Sequence, residues 1–107
     1  MSKMNPEEVQ AVAFQIILES GNARTIVHKA FDLMRQSKFE KASAKLDMAN
    51  KAIIRAHDSQ TNLLQKFAGG QTFDMDILMV HSQDHLMTTM TLREVAVEML
   101  HLYQKIN

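Results

Sequence analysis

Two histidines and one aspartate lie close together in a segment that is otherwise rich in Leu, Met and Val. They are His81, Asp84 and His85, within residues 79–87 (MVHSQDHLM). If this segment is helical, positions i, i+3 and i+4 share one face. Burying such groups without partners costs on the order of several kcal/mol, so the cluster requires a structural or chemical reason.

The residue types leave three interpretations of the histidines open. A zinc site is disfavoured, because the metalloprotease spacing needs Glu directly after the first His, where this chain has Ser82, and the chain has no Cys. Alternatively, both histidines are core residues that bond to neighbours. In the third interpretation, neutral His81 attacks phosphorus and holds a phosphoryl group as a labile phosphoramidate, with His85 as a donor one turn away.

Asp84 requires a separate explanation, because an ionised carboxylate in an apolar row should not remain unpaired. One alternative is a salt bridge to a Lys or Arg on a neighbouring helix. The other is a symmetry axis at which copies of Asp84 converge and share a hard cation such as magnesium. The residues alone favour neither.

Composition limits the class of protein. The chain has 107 residues, which predicts a single domain over residues 1–107. Lys plus Arg and Asp plus Glu each number 12, and this balance argues against a nucleic-acid binder. The lack of Cys excludes disulfides and fits a cytoplasmic protein. The uncharged run at residues 9–18 is too short to insert into a membrane.

The N-terminal half of the chain predicts one long helix over about residues 5–35. Asn5 can cap it, and Pro6 is tolerated at the first helical position. Small and apolar residues then recur at alternating spacings of four and three from Val9 to Met34. Gly21 either kinks this helix or admits a neighbouring backbone, side chain or phosphate. Because the stripe continues in phase through Gly21, we expect one helix.

Two further helices complete an all-α, up-down-up three-helix bundle. Ser37 and Glu40 have capping-box spacing, which predicts a helix over about residues 38–68 that ends at Gly69 and Gly70. Thr72 or Asp74 can cap a third helix over about residues 73–105. We expect the core-facing stripe of this helix to consist of Leu78, His81, His85, Thr88, Leu92, Val95, Met99, Leu102 and Ile106.

The third helix carries more apolar surface than two neighbours can cover. One further row contains Met79, Leu86 and Leu100, and another contains Val80, Asp84 and Met87. A helix that is apolar over most of its circumference is buried on several sides. The prediction is a homo-oligomer with this helix near its centre.

Residues 80–88 (VHSQDHLMT) resemble the signature of the lactose/cellobiose-type IIA component of the bacterial phosphoenolpyruvate-dependent sugar phosphotransferase system. Ser82 departs from the Ala or Gly expected there, which should be tolerated. Further similar segments are residues 15–18 (QIIL), 20–24 (SGNAR), 56–61 (AHDSQT) and 102–103 (LY). The resemblance covers nearly the whole chain.

The resemblance implies a cytoplasmic phosphocarrier that assembles as a homotrimer. It assigns His81 as the histidine that takes a phosphoryl group from phosphorylated HPr and passes it to a cysteine of the IIB component. That transfer drives uptake and phosphorylation of a β-linked disaccharide of cellobiose, chitobiose or lactose type. By the same resemblance, Asp84 from three subunits shares one Mg²⁺ ion. His85, Gln83 and Gly21 are candidates for the phosphate pocket.

Two other functions are compatible with the sequence. The first is a non-enzymatic helical oligomer or interaction module, whose histidines only satisfy the core. The second is a histidine phosphotransfer domain of two-component signalling. Those domains usually have Lys and Gly shortly after the active His, whereas Asp84 and His85 follow His81 here.

Overall fold

Three α-helices of 30 residues each form the fold. A computed structural model describes residues 2–107, with α1 at Pro6–Arg35, α2 at Phe39–Ala68 and α3 at Ile77–Ile106. The connections at residues 36–38 and 69–76 are short, so consecutive helices run antiparallel in a rod of 58 × 19 × 17 Å. The predicted all-α, up-down-up bundle is confirmed. Within residues 2–107, no helix combines the length and hydropathy needed to cross a bilayer.

Helix α1 begins and continues as its sequence predicts. The side chain of Asn5 accepts a hydrogen bond from the backbone N–H of Glu7 at 2.8 Å, and Pro6 occupies the first turn. The helix passes through Gly21 without a break, so the prediction of one long helix is confirmed. Its buried residues are those of the predicted stripe: Val9, Ala13, Ile16, Ser20, Ala23, Val27, Ala30 and Met34.

The predicted capping box of α2 is wrong. Ser37 has a φ of 60° and closes the end of α1, where its N–H donates to the carbonyl of Met34 and that of Lys38 donates to Leu33. The tight turn therefore uses Ser37 as the left-handed residue, and Lys38 precedes α2 without a side-chain cap. At the other end, Gly70 adopts a φ of 99° just after α2, as predicted.

Helix α3 begins at Ile77, later than predicted, and its cap is Asp76. The Asp76 side chain accepts a hydrogen bond from the N–H of Met79 at 2.9 Å. Neither predicted cap is available, because the N-terminal segment holds both residues. Thr72 exchanges backbone hydrogen bonds with Ser2 and Met4, and Asp74 forms a 2.9 Å ion pair with Lys3.

The predicted core stripe of α3 is also wrong. The side of α3 that packs into the bundle carries Met79, Ser82, Leu86, Thr89, Ala96 and Leu100, whereas Val95, Met99, Leu102 and Ile106 are exposed. Because α3 is apolar around most of its circumference, periodicity alone does not select the inward side. The inward side combines large apolar residues with the small residues Ser82 and Ala96. The buried residues of α2 are Ala42, Leu46, Ala49, Ala52, Ile53, Ala56 and Leu63.

Replacing Thr89 by valine should stabilise the fold. The Thr89 hydroxyl is buried and has no hydrogen-bond partner among residues 2–107, so it is desolvated without compensation. Thr89→Val puts a methyl group of similar size in its place, and we expect the free energy of unfolding to rise by about 1–3 kcal/mol in urea titrations. Thr25→Val on the exposed side of α1 should stay within about 0.5 kcal/mol of wild type. Destabilisation by Thr89→Val would show that the hydroxyl has a bound partner.

Candidate functional site

His81 and His85 lie side by side on α3. Their ring centroids are 5.8 Å apart and the ring planes meet at 71°. His81 is exposed, and His85 is half-buried between α3 and α1. The predicted pairing of the two histidines on one helix face is therefore present. The exposed ring of His81 lies one turn before the half-buried ring of His85.

Ser20 of α1 anchors the ring of His85. Its Oγ lies 2.7 Å from Nδ1 of His85 and 2.6 Å from the carbonyl oxygen of Ile16. Two oxygens this close need a hydrogen between them, so the Ser20 hydroxyl donates to Ile16. The remaining contact then requires Nδ1–H of His85 to donate to Oγ of Ser20. In the neutral ring, Nε2 consequently holds the free lone pair.

The surroundings of His85 favour this neutral form. Burial lowers the pKa of His85, and the positive charges of His81 and Arg24 lower it further. The charge of Asp84 opposes them more weakly. Near pH 7 the ring is therefore mostly neutral, while Arg24 places a permanent positive charge beside it.

Gly21 lies against the same ring. A Cβ built at Gly21 would meet Cε1 of His85 at 3.8 Å, which is ordinary van der Waals contact. Helix α1 does not break at Gly21, and the group that lies against it is the His85 side chain of α3, at a distance that would also admit an alanine Cβ. An open groove along α1 adjoins this contact and is lined by Ile17, Leu18, Glu19, Gly21, Asn22 and Thr25.

Gly21→Ala should give a folded and more stable protein. Alanine in a helix interior is favoured over glycine by up to about 1 kcal/mol, and the 3.8 Å contact leaves room for the methyl group. Urea titration should report an increase of that size. Gly69→Ala is the control, because its Cβ would lie 3.4 Å from the carbonyl of Gln65 at a helix end, where little is gained. A loss of stability on Gly21→Ala would mean that His85 needs the space itself.

Gln83 is not brought to the histidine pair within one chain. Its side-chain oxygen accepts a hydrogen bond from Gln60 of α2, and its amide donates to Oγ of Ser82 at 3.3 Å. A position two residues after His81 is rotated by about 200° around the helix, which explains this direction. The assignment of Gln83 to the phosphate pocket gains no support from these contacts.

Asp84 is exposed on the outward side of α3, between the exposed side chains of Val80 and Met87. It forms no ion pair with any residue from 2 to 107, so the salt bridge to a neighbouring helix of the same chain does not form. Across those residues, no three side chains of His, Cys, Asp or Glu are grouped to bind a metal ion. A cation at Asp84 would need ligands from further copies of the chain.

Comparison with known proteins places this arrangement in a family. Residues 11–104 match the family described as "PTS system, Lactose/Cellobiose specific IIA subunit". The chain belongs to this IIA family. The resemblance found in the sequence is therefore confirmed, and the paired histidines of α3 lie within the matched region.

Relatives of this IIA chain are similar over nearly their whole length. It is 43% identical to the lichenan-specific phosphotransferase enzyme IIA component of Bacillus subtilis, covering 94% of this chain and 91% of that protein. The crystal structure of PtcA from S. mutans has 59% identity and a TM-score of 0.93, covering 94% and 99% of the two chains. The solution structure of the Escherichia coli IIA(Chitobiose)–HPr complex has 31% identity and a TM-score of 0.75, covering 92% and 95%.

Two residues at the site of this IIA chain were missed as functional candidates. Ser20 is the one polar residue in the buried stripe of α1, and that exception was the available signal. Arg24 lies one turn later, is exposed, and makes no ion pair within the described part of the chain. Its proximity to His85 depends on how α1 packs against α3, which no local pattern contains.

Proposed function

We propose that this IIA protein is a histidine phosphocarrier that takes a phosphoryl group from phosphorylated HPr on His81 and passes it to a cysteine of a IIB protein. The transfer would drive cytoplasmic phosphorylation and uptake of a β-linked disaccharide. The observation that carries the proposal is an exposed His81 ring beside His85, which α1 anchors, in a family with a relative solved in complex with HPr.

The chemistry needs a nucleophile and little else. A ring nitrogen of neutral His81 forms a bond to phosphorus while the phosphorus–nitrogen bond to the donor histidine breaks. In the second step, a thiolate sulfur of IIB forms a bond to phosphorus and the bond to His81 breaks. The phosphoryl group keeps its three terminal oxygens throughout, so catalysis consists of positioning and charge stabilisation.

The surroundings of His81 can supply both the positioning and the charge stabilisation of the phosphoryl group. Arg24 contributes a positive charge close to His85, and this charge would attract the phosphoryl oxygens. The His81 ring is exposed to solvent, and exposed Leu18 in the groove along α1 offers an apolar contact for a partner protein. We include His85 and Gly21 in the phosphate pocket and leave Gln83 as a candidate without contact support.

The outer face of α3 supports assembly as a homotrimer. This α3 outer face carries the exposed apolar residues Ile77, Val80, Met87, Val95, Leu102 and Ile106, with Asp84 among them. Such a contiguous apolar stripe over a whole helix marks an association surface. Three copies packed through this face would place α3 at the centre. Sedimentation equilibrium should give the trimer mass, and a stable monomer would contradict the assembly.

Within such a trimer, we propose that the three copies of Asp84, one from each subunit, together bind a single Mg²⁺ ion. The residue fits this role because its carboxylate is exposed, supplies the oxygen ligands that Mg²⁺ prefers, and has no cationic partner among residues 2–107. The ion would neutralise three like charges that otherwise repel one another. No step of the phosphoryl transfer is assigned to it.

Phosphoryl transfer to the wild-type protein tests the main proposal. Phosphorylated HPr should transfer one phosphoryl group to each chain, peptide mapping should locate it on His81, and a cognate IIB protein should then remove it. An oligomer that takes up no phosphate would instead be the non-enzymatic interaction module. Transfer to a response regulator, without transfer from HPr, would assign it to two-component signalling.

A further inference from the structure

The contact between Ser20 and His85 goes beyond a packing interaction. Ser20 is completely buried, and its hydroxyl connects the backbone carbonyl of Ile16 to Nδ1 of His85 across the α1–α3 interface. A helix-interior serine usually satisfies its hydroxyl on its own helix. Here the Ser20 oxygen also accepts a hydrogen bond from His85 of another helix. It therefore links the backbone carbonyl of Ile16 to the His85 ring at the site.

This arrangement restricts the ring in two ways. The 2.7 Å hydrogen bond fixes the rotation of the imidazole about its side-chain bonds, because turning the ring would leave the buried Ser20 oxygen short of a donor. It also selects the tautomer, since the hydrogen of Ser20 is committed to the Ile16 carbonyl at 2.6 Å. Free histidine in water has no such constraint and exchanges between its tautomers.

We propose that Ser20 is a positioning residue for phosphoryl transfer, which holds His85 so that Nε2 is the ring nitrogen that faces the phosphoryl group beside Gly21. When that anionic group arrives, Nε2 takes up a proton from solvent and donates a hydrogen bond to a phosphoryl oxygen, while Nδ1–H stays bonded to Ser20. The proposal rests on the phosphocarrier function proposed above. Cε1 of the ring lies 3.8 Å from the Cβ position of Gly21, and Nε2 is the nitrogen bonded to Cε1 that Ser20 does not hold. A residue that orients a group contacting the substrate acts by preorganisation.

The tautomer gives a readout that a purely structural role would not change. In ¹⁵N-resolved NMR spectra of the wild-type protein at about pH 8, His85 should be protonated on Nδ1 and bare on Nε2. Ser20→Ala should release this preference. Ser20→Thr keeps the hydroxyl and should retain the wild-type tautomer. A wild-type His85 protonated on Nε2, or an unchanged tautomer in Ser20→Ala, would overturn the proposal.

The rate of transfer from phosphorylated HPr provides the second readout. Ser20→Ala should lower the rate at saturating donor by about three- to tenfold, the effect of losing one positioning hydrogen bond. Ser82→Ala is the matched control, because Ser82 is also fully buried but forms hydrogen bonds only within its own helix, as a donor to Met79 and an acceptor from Gln83. It should transfer at the wild-type rate. Equal losses in the two variants, or no loss in Ser20→Ala, would overturn the positioning role.

The two measurements also separate this proposal from the function on which it rests. If wild-type protein takes up no phosphate from HPr, the phosphocarrier function fails and the positioning role fails with it, whatever tautomer the spectra show. If wild-type protein is phosphorylated on His81 while Ser20→Ala has the wild-type rate, the function stands and the role of Ser20 is rejected. A slower Ser20→Ala with a released tautomer supports both.

Discussion

His81→Ala should take up no phosphate from phosphorylated HPr, with a rate at least about a thousandfold below that of wild type. Removing a nucleophile typically costs more than this, because the remaining groups can only bind and orient the phosphoryl group. Because His81 is exposed and its ring is not part of the core, the variant should keep its helical circular dichroism spectrum. Label transfer from phosphorylated HPr measures the effect directly.

Two other histidines of α3 are the comparison variants. His85→Ala should retain transfer, reduced by about tenfold to a hundredfold, because it removes a hydrogen-bonding group but leaves the nucleophile. His101→Ala alters an exposed ring near the end of α3 and should transfer at the wild-type rate. If His81→Ala accepts phosphate as well as wild type, the assignment of the nucleophile is wrong. Loss in His85→Ala alone would move that role to His85.

Asp84→Leu should preserve the trimer, keep or raise its thermal stability, and abolish metal binding. Three carboxylates on one axis repel each other when the ion is removed, whereas three leucines add apolar contact to the α3 outer face. Wild-type protein should therefore lose thermal stability when Mg²⁺ is removed with a chelator, and Asp84→Leu should not respond. Sedimentation, melting curves with and without chelator, and metal content after dialysis provide the measurements.

Asp58→Leu controls for the removal of an exposed carboxylate elsewhere. Asp58 lies on α2 and is exposed, so its replacement should leave both metal content and the response to chelator unchanged. Dissociation of Asp84→Leu into monomers would contradict a three-carboxylate axis. An intact trimer that still binds Mg²⁺ would show that the ion is bound elsewhere.

Local patterns predicted the helices and much of their packing. The spacing of small and apolar residues identified every buried residue of α1, because one side of that helix is clearly less polar than the other. The same method failed for α3, where apolar side chains surround the helix and spacing alone does not distinguish the inward side. The start of α3 was missed because Thr72 and Asp74 are held by the N-terminal segment, a contact between distant parts of the chain.

The site likewise has one part that local spacing predicts and another that depends on packing between helices. Helical spacing is local, so it predicted the pairing of His81 with His85. Ser20 and Arg24 come from another helix, and their distance from His85 depends on the relative height and rotation of α1 and α3. Residues 20–24 resemble a family pattern, but no spacing rule connects them to residue 85. The proximity of these residues to His85 is determined by side-chain contacts between the helices.

The placement of the site on two uninterrupted helices also restricts how the gene can vary. One inserted or deleted codon upstream of Ser20 within α1 would turn that residue by about 100° and move it by about 1.5 Å along the helix axis, away from His85. A loop can absorb such a change, but neither Ser20 nor His85 lies on one. Length differences among functional relatives should therefore concentrate at residues 36–38 and 69–76 and at the chain ends.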